Sequence, residues 1–188
     1  MKLIRLTPPL NEKDVRKLCA GDLVSITGTI VTARDKAYAK IVSGAKLPIK
    51  LEGGIVYHCG PLLKRRPSKF KIVSAGPTTS ARMDGVQVKF LETTGVRAVV
   101  GKGGIGEDVA KHFPRLGCVY LAFPGGAGAL AARRIEKIEG AYWRELGDAE
   151  AMWIFRVKDF GPLVVAVDTK GNSLYRHKNG TQKIKEKR

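Results

Sequence analysis

Phe70-Lys71-Ile72-Val73-Ser74-Ala75 reads as a strand, and Gly76-Pro77-Thr78-Thr79-Ser80-Ala81-Arg82 follows it directly. Pro77 suits the first position of a helix, where a missing N–H costs nothing. Thr78, Thr79 and Ser80 then place three hydroxyls beside N–H groups that have no partner inside a helix. Arg82 follows Thr78 by four residues, so the two share a helix face. Strand, tight turn and helix start make an α/β unit. Free N–H groups, hydroxyls and a guanidinium converge there on one small volume, as in a site for a carboxylate or phosphate.

Strands and helices alternate on both sides of this unit. Upstream, Asn11 to Cys19 reads as a short helix capped by Asn11 and stopped at Gly21. Asp22 to Ala33 reads as two short strands or one bent strand. Asp35 to Val42 is a helix with Ala37, Tyr38 and Ile41 inward, and Ile55 to His58 is a strand stopped by Gly60-Pro61. Downstream come a helix from Val86 to Thr94 closed by Gly95, a buried strand from Ala98 to Val100, and a glycine-rich turn, Gly101-Lys102-Gly103-Gly104. A helix from Asp108 to Phe113 ends at Pro114. Cys118 to Phe123 is a strand, and Ala127 to Ala132 a small-residue helix. Ile135 to Leu146 shows no clear period. Met152 to Val157 and Leu163 to Asp168 are strands with a break at Gly161-Pro162. A turn at Lys170-Gly171-Asn172 precedes a last short strand from Ser173 to Tyr175. The expected fold is α/β: a mostly parallel central sheet with an added β layer, in one domain over residues 1–176. Residues 177–188 read as a basic, flexible tail.

Composition sets limits. The 188 residues are 44% hydrophobic, enough for a proper core and too apolar for a disordered chain. No apolar stretch is long enough to cross a bilayer. The start, Met1-Lys2-Leu3-Ile4-Arg5, lacks the apolar block of a signal peptide, so the cytoplasm is the expected location. Cys19, Cys59 and Cys118 are far apart and odd in number. They read as small hydrophobes, since metal and cluster ligands come in close pairs or sets of four. The formal net charge of +17 gathers in Lys64-Arg65-Arg66-Pro67-Ser68-Lys69-Phe70-Lys71 and in the tail from Arg176. Binding of nucleic-acid phosphates is one reading of that charge. The basic runs lack the interleaved aromatics that stack bases, and no RNP, KH or zinc-finger pattern is present. A solvated surface, an anionic substrate or an acidic partner are the readings that remain in front.

Three turns present a cation just past a strand: Thr32-Ala33-Arg34-Asp35, the Gly76 to Arg82 segment, and Gly101-Lys102-Gly103-Gly104. In open α/β sheets ligands gather beyond the carboxyl ends of the strands. Arg34, Arg82 and Lys102 are therefore expected to meet around one anion. Two arginine forks and a lysine fit a dicarboxylate better than a single carboxylate. The Gly-Lys-Gly-Gly turn lacks the spacing of a phosphate-binding P-loop. Acid–base groups are sparse: His58, His112 and His177 lie apart and match no triad, and His58 reads as structural. A chain that grips a dianion and lacks a base has half of an active site.

At these residues the chain resembles the β subunit of two-subunit class I fumarate hydratase. The same module forms the C-terminal part of single-chain class I fumarases and the β subunit of L(+)-tartrate dehydratase. The matching segments are Gly21-Asp22 through Gly28, Thr32 to Asp35, Tyr57-His58-Cys59-Gly60-Pro61, Gly76 to Asp84, Gly101-Lys102-Gly103, Gly125-Gly126-Ala127, and Val167-Asp168 with Gly171 to Tyr175. They keep the family's order over most of residues 10–176, and Gly-Pro-Thr-Thr…Arg-Met-Asp is the most specific of them.

The resemblance implies a three-layer swivelling β/β/α domain and a hydro-lyase interconverting (S)-malate and fumarate. It implies an α subunit as a separate chain carrying an oxygen-sensitive [4Fe-4S] cluster, an α2β2-type hetero-oligomer, and no metal bound by this chain alone. By motif position Arg34 and Arg82 hold substrate carboxylates, Lys102 adds a third cationic contact, and Thr79 and Gly76 complete the substrate site. Thr78 stands at the reacting carbon as the catalytic proton-transfer residue, activated by a group from the α subunit. One departure stands out: the family usually has Arg-Asp-x-Ala-His, and here the run is Arg34-Asp35-Lys36-Ala37-Tyr38. Tyr38 keeps a hydrogen-bonding tip but no imidazole. L(+)-tartrate dehydratase is the alternative within the class, since no residue separates two C4 dicarboxylates. Outside it stand a basic nucleic-acid-binding protein and a dicarboxylate-binding domain without catalysis.

Overall fold

The computed structural model describes residues 3–66 and 69–175. β1 (Leu3–Leu6) leads to α1 (Glu12–Val15), a single turn that Asn11 caps by accepting the Asp14 N–H at 2.8 Å. The helix does not run on to Cys19. The Asp22 carboxylate takes the Cys19 N–H at 2.8 Å, and the chain leaves α1 through i→i−3 bonds. β2 (Leu23–Thr32) is one bent strand, its register slipping between Val24 and Gly28. Gly28 sits at φ +136°, and a Cβ there would press on the Pro8 ring at 3.0 Å, so the bend needs glycine. α2 (Asp35–Val42) buries Ala37, Tyr38 and Ile41, the face its spacing predicts.

After β3 (Ile55–Tyr57), β4 (Leu62–Arg66) and β5 (Lys69–Ser74) form an antiparallel hairpin of their own. The run at Phe70 is thus a strand, but not one of the main sheet. Leu63 and Ile72 are cross-strand partners that lean with Phe70 on the core, while Lys64 pairs across from Lys71. A period of two lies hidden in what reads as a charge run. Residues 67–68 of that run, and the expected tail at 177–188, lie outside the described residues.

A 3-10 turn (Ser80–Met83) runs into α3 (Asp84–Thr94), closed by Gly95. β6 (Ala98–Gly101), α4 (Glu107–Ala110), α5 (Phe113–Leu116) and β7 (Val119–Ala122) follow. Pro114 stands in the first turn of α5 instead of ending a helix begun at Asp108, a position where its missing N–H is no loss. Then come α6 (Gly128–Arg133), β8 (Ile135–Tyr142) and β9 (Met152–Val167). Beyond β9 the expected last strand shrinks to one bridge, Ser173 to Val167. Asp168 shapes that turn by accepting the N–H groups of Lys170 and Asn172 at 2.8 and 3.0 Å.

β1, β2, β3, β6 and β7 run parallel, but β9 is antiparallel to β2, β7 and β8. The sheet is mixed: four of its pairings are parallel, as expected for most of it, and the three made by β9 are antiparallel. No break falls at Gly161-Pro162, because the ladder shifts there: Val24 pairs with Leu163 and Ile26 with Phe160. Pro162 lies in that bulge, where no ladder N–H is required. At 16 residues β9 reaches both β7 and β2. Hydrogen-bonded neighbours therefore run β2–β3–β6–β7–β9 and back to β2, closing a ring, with β1 beside β2 and β8 beside β9.

Alternate residues of the ring feed two apolar clusters. Tyr57, Val100 and Leu121 join Phe155 and Phe160 in one; Val56, Val99 and Tyr120 pack beneath α2, α3 and α5 in the other. Burial on both faces accounts for the unbroken apolar runs of these short strands. Each large side chain so buried contributes roughly 1.5–3 kcal/mol.

Candidate active site

The parallel strands β2, β3 and β6 end at one edge of the ring, and Arg34, His58 and Lys102 follow directly from them. The motif segment reaches that edge by its backbone. The Thr78 N–H donates to the His58 carbonyl at 2.6 Å, and the Lys102 N–H donates to the Thr78 carbonyl at 3.2 Å. The Ser80 N–H donates to the Lys102 carbonyl at 3.0 Å, and Pro77 bridges to Cys59. Pro77 therefore does not open a helix. Residues 77–79 are extended and wedged between the chain ends of β3 and β6, and Thr78 and Arg82 do not share a helix face. The Thr78 and Thr79 hydroxyls cap nothing; the helical turn begins at Ser80.

Asp35 ties the two arginines together. Its Oδ1 accepts from Arg82 Nε at 3.2 Å, and its Oδ2 lies 3.1 Å from Arg82 Nη2 and 3.8 Å from Arg34 Nη2. Glu150 holds Arg34 from the other side at 3.2 Å and also accepts the Lys36 N–H at 3.0 Å. Arg34 is 18% exposed and Arg82 53%. The Arg34 fork lies so close to Gly60 that a Cβ there would collide with it, and its Nε is buried without a hydrogen-bond partner among the described residues. Lys102 makes no ion pair among the described residues, and its stem passes Gly125. Thr79 is exposed, its methyl against Gly103. Gly76 is where the segment meets α6: a Cβ on it would lie 3.4 Å from the Gly128 Cα, and the Ala75 N–H donates to the Gly128 carbonyl at 3.0 Å. Asp84, at the end of the motif, takes the Gly106 N–H at 2.8 Å; burial raises the pKa of its carboxyl.

Beneath this edge lies a polar chain that sequence reasoning missed. Gln87 Nε2 donates to the Tyr38 hydroxyl at 3.3 Å, and that hydroxyl lies 2.7 Å from His58 Nε2. His58 Nδ1 lies 2.8 Å from Ser80 Oγ, which accepts the Tyr120 hydroxyl proton at 2.9 Å. All five residues are fully buried. Tyr38, the departure from the family run, points inward onto His58 and stacks on Phe90 at 3.8 Å. Gly101 makes room for the chain: a Cβ there would strike Ser80 Oγ. The sequence marked His58 as structural, Tyr38 as a departure and Ser80 as a motif hydroxyl, but not that they join through Gln87 and Tyr120.

Burial lowers the His58 pKa from 6.5 to about 3, against the opposing pull of the Asp35 charge. His58 is thus a neutral support, not a base. Between those two pH values the unfolded chain takes up a proton that the folded one refuses. Its contribution is complete above about pH 6.5 and is lost as pH falls toward 3, at up to about 1.4 kcal/mol per unit. Urea melts from pH 7 to pH 4 should show that slope. His58→Gln should flatten it, and an unchanged slope would locate the titration elsewhere.

The three thiols lie apart. Cys59 and Cys118 are buried in different clusters and Cys19 is exposed. Burial pushes Cys118 up to about 12 and raises Cys59 as well, so both stay protonated. No helix among the described residues is long and apolar enough to cross a membrane.

A mixed α/β ring with arginines, a lysine and unengaged threonine hydroxyls at the carboxyl ends of its parallel strands defines an α/β domain with a cationic edge where such folds place their ligands. Comparison with known proteins narrows this. The Fumarase C-terminus family model matches residues 1–178. A Methanocaldococcus jannaschii protein provisionally named L(+)-tartrate dehydratase subunit beta is 46% identical over 95% of this chain and 93% of its own. L(+)-tartrate dehydratase subunit beta of Escherichia coli K12 is 41% identical over 90% of this chain and 85% of its own. A Geobacillus stearothermophilus protein provisionally named fumarate hydratase class I is 43% identical over 93% of this chain but only 34% of its own. The chain belongs to the Fumarase C-terminus family.

Proposed function

We propose that this chain is the β subunit of a two-subunit hydro-lyase that interconverts (S)-malate with fumarate and water, working in the cytoplasm with a separate α subunit. The observation that carries this reading is the Arg34–Asp35–Arg82 ion-pair chain beside Lys102 and Thr78 at one sheet edge. In this reading residues 1–176 act as one three-layer swivelling β/β/α domain and assemble with α chains in an α2β2-type complex.

Asp35 stands where a substrate carboxylate would, in the fork of Arg82. Binding is then an exchange of carboxylates on Arg82. Arg34 stays seated on Glu150 and lends its charge to the carboxylate beside it, and Lys102 takes the second carboxylate. In this reading Thr79 and Gly76 complete the substrate site. Hydration adds a hydroxyl to one alkene carbon and a proton to the other, and the Thr78 hydroxyl moves that proton. No carboxylate or imidazole hydrogen-bonds the Thr78 hydroxyl among the described residues. Its activating group therefore comes from the α subunit. A [4Fe-4S] cluster on that subunit supplies Lewis-acid chemistry at the substrate hydroxyl.

The test is anaerobic co-expression with the α subunit, cluster loading, and assay with fumarate and malate. An assembled, loaded complex that turns over no C4 dicarboxylate would end the reading. L(+)-tartrate is the second substrate reading, favoured by the names of the relatives that match this chain nearly end to end. Side-by-side assays decide between them. Arg82→Ala should raise KM for the preferred substrate about 100-fold, the loss of one or two charge-assisted hydrogen bonds of roughly 1.5–3 kcal/mol each. The fold should survive, because Asp35 keeps Arg34. Unchanged substrate constants would mean that the pocket lies elsewhere.

A further inference from the structure

β5 and β8 are both edge strands: among the described residues β5 pairs only with β4, and β8 only with β9. A groove of about 1330 Å³ lies between them, walled by α6. Phe70, Ile72 and Val73 of β5 and Ile135 and Ile138 of β8 give it an apolar lining. Val73 is 45% exposed, and Leu130 on α6 and Leu62 on β4 are 44% and 61% exposed nearby. Its rim carries Lys64, Lys71, Arg133 and Lys137 against the single carboxylate of Glu136. None of these four cations is in an ion pair among the described residues. Unpaired strand edges and exposed apolar side chains together are what a chain normally hides or covers with a partner.

The groove adjoins the candidate site. β5 runs straight into Gly76, and α6 begins at Gly128, which packs on Gly76. Whatever completes the site must therefore pass near the groove's end. We propose that the groove is the docking surface for the α subunit, and that it takes an extended, acidic segment whose apolar side chains alternate with its carboxylates. This rests on the β-subunit reading above. Charge selects the occupant: a second copy of a chain with net charge +17 would be repelled by a basic rim. A nucleic acid is disfavoured by the aliphatic lining. Phe70, the groove's one aromatic, is already covered by Arg144 at 4.8 Å and Trp153 at 5.7 Å, which leaves no stacking platform. Strand edges supply backbone hydrogen bonds to an extended segment, and alternate pockets read its side chains.

The test is binding of the full-length chain to the cluster-loaded α subunit, followed by sedimentation and by activity. The double variant Lys71→Glu with Lys137→Glu should weaken association at least 30-fold, and Val73→Asp at least tenfold. Lys89→Glu, on the exposed side of α3, should change it less than twofold. All three lie at the surface, and far-UV circular dichroism checks their folding. At saturating α subunit the groove variants should regain wild-type kcat, since the groove touches no substrate. If wild type binds α and both groove variants bind it equally well, the groove is not the interface. If the variants lose only retention on RNA or DNA, the occupant is nucleic acid and the proposal falls. A wild-type chain that does not bind α at all would remove the β-subunit reading, and this inference with it.

Discussion

Thr78→Ala should leave the protein folded and the complex assembled, yet lower kcat about 1,000-fold with KM changed only a few-fold. The structural work of Thr78 is done by its backbone. Its N–H holds the His58 carbonyl at 2.6 Å and its carbonyl holds the Lys102 N–H at 3.2 Å, and alanine keeps both. Its hydroxyl has no partner among the described residues, so removing it orphans nothing there. What the substitution removes, on the function proposed above, is the group that moves the proton, a contribution of about 100- to 10,000-fold. A thermal melt should shift by no more than a few degrees. Thr78→Ser, which keeps the hydroxyl, should recover much of the rate. A Thr78→Ala complex with wild-type kcat would take the proton-transfer role away from this residue.

Gly101→Ala should be strongly destabilising. Its Cβ would strike Ser80 Oγ and lie 3.2 Å from both His58 Nδ1 and the Tyr120 hydroxyl. Ser80 must move, and the fully buried His58 then loses a hydrogen-bond partner. Overpacking and an unsatisfied buried polar atom together cost about 3–5 kcal/mol. The Ser80 N–H bond to Lys102 is strained by the same movement, so substrate affinity should fall along with stability. Combining the change with Ser80→Ala removes the struck oxygen and should recover part of the loss. Strict additivity of the two changes in urea melts would place the damage elsewhere.

The arginines and the lysine were legible in the sequence because each directly follows a strand or a sharp turn, and α2 was legible because Ala37, Tyr38 and Ile41 recur at helical spacing. The conformation of the motif was not. Pro77 and three hydroxyls look like a helix start, but the partners of Thr78 and Ser80 are backbone groups of His58 and Lys102, remote in sequence. Tertiary pairing overrode a sound local preference. Asp35 read as the first residue of a helix; that its carboxylate spans to Arg82, 47 residues on, depends on how β2 and the motif meet. Gln87 and Tyr120 were silent, and Ser80 read as a helix-start hydroxyl, because a buried polar residue carries no mark of its partners. Gly161-Pro162 looked like a break for a similar reason: the dipeptide interrupts a ladder only when the ladder needs that N–H, and here a bulge excuses it.

The closed ring has a cost in time. Thr32 and Trp153 are joined across 121 residues by a 2.9 Å bond from the Trp153 N–H to Thr32 Oγ1. At a synthesis rate of about 10 residues per second, roughly ten seconds pass between the emergence of the two strands from the ribosome. By the end of that interval the nascent chain holds β2, β3, β6 and β7 without the strand that seals them, and their apolar edge is open to other chains. Pairings this distant in sequence also form slowly once both ends exist. The unsealed ring is the stage at which this chain is most exposed to aggregation.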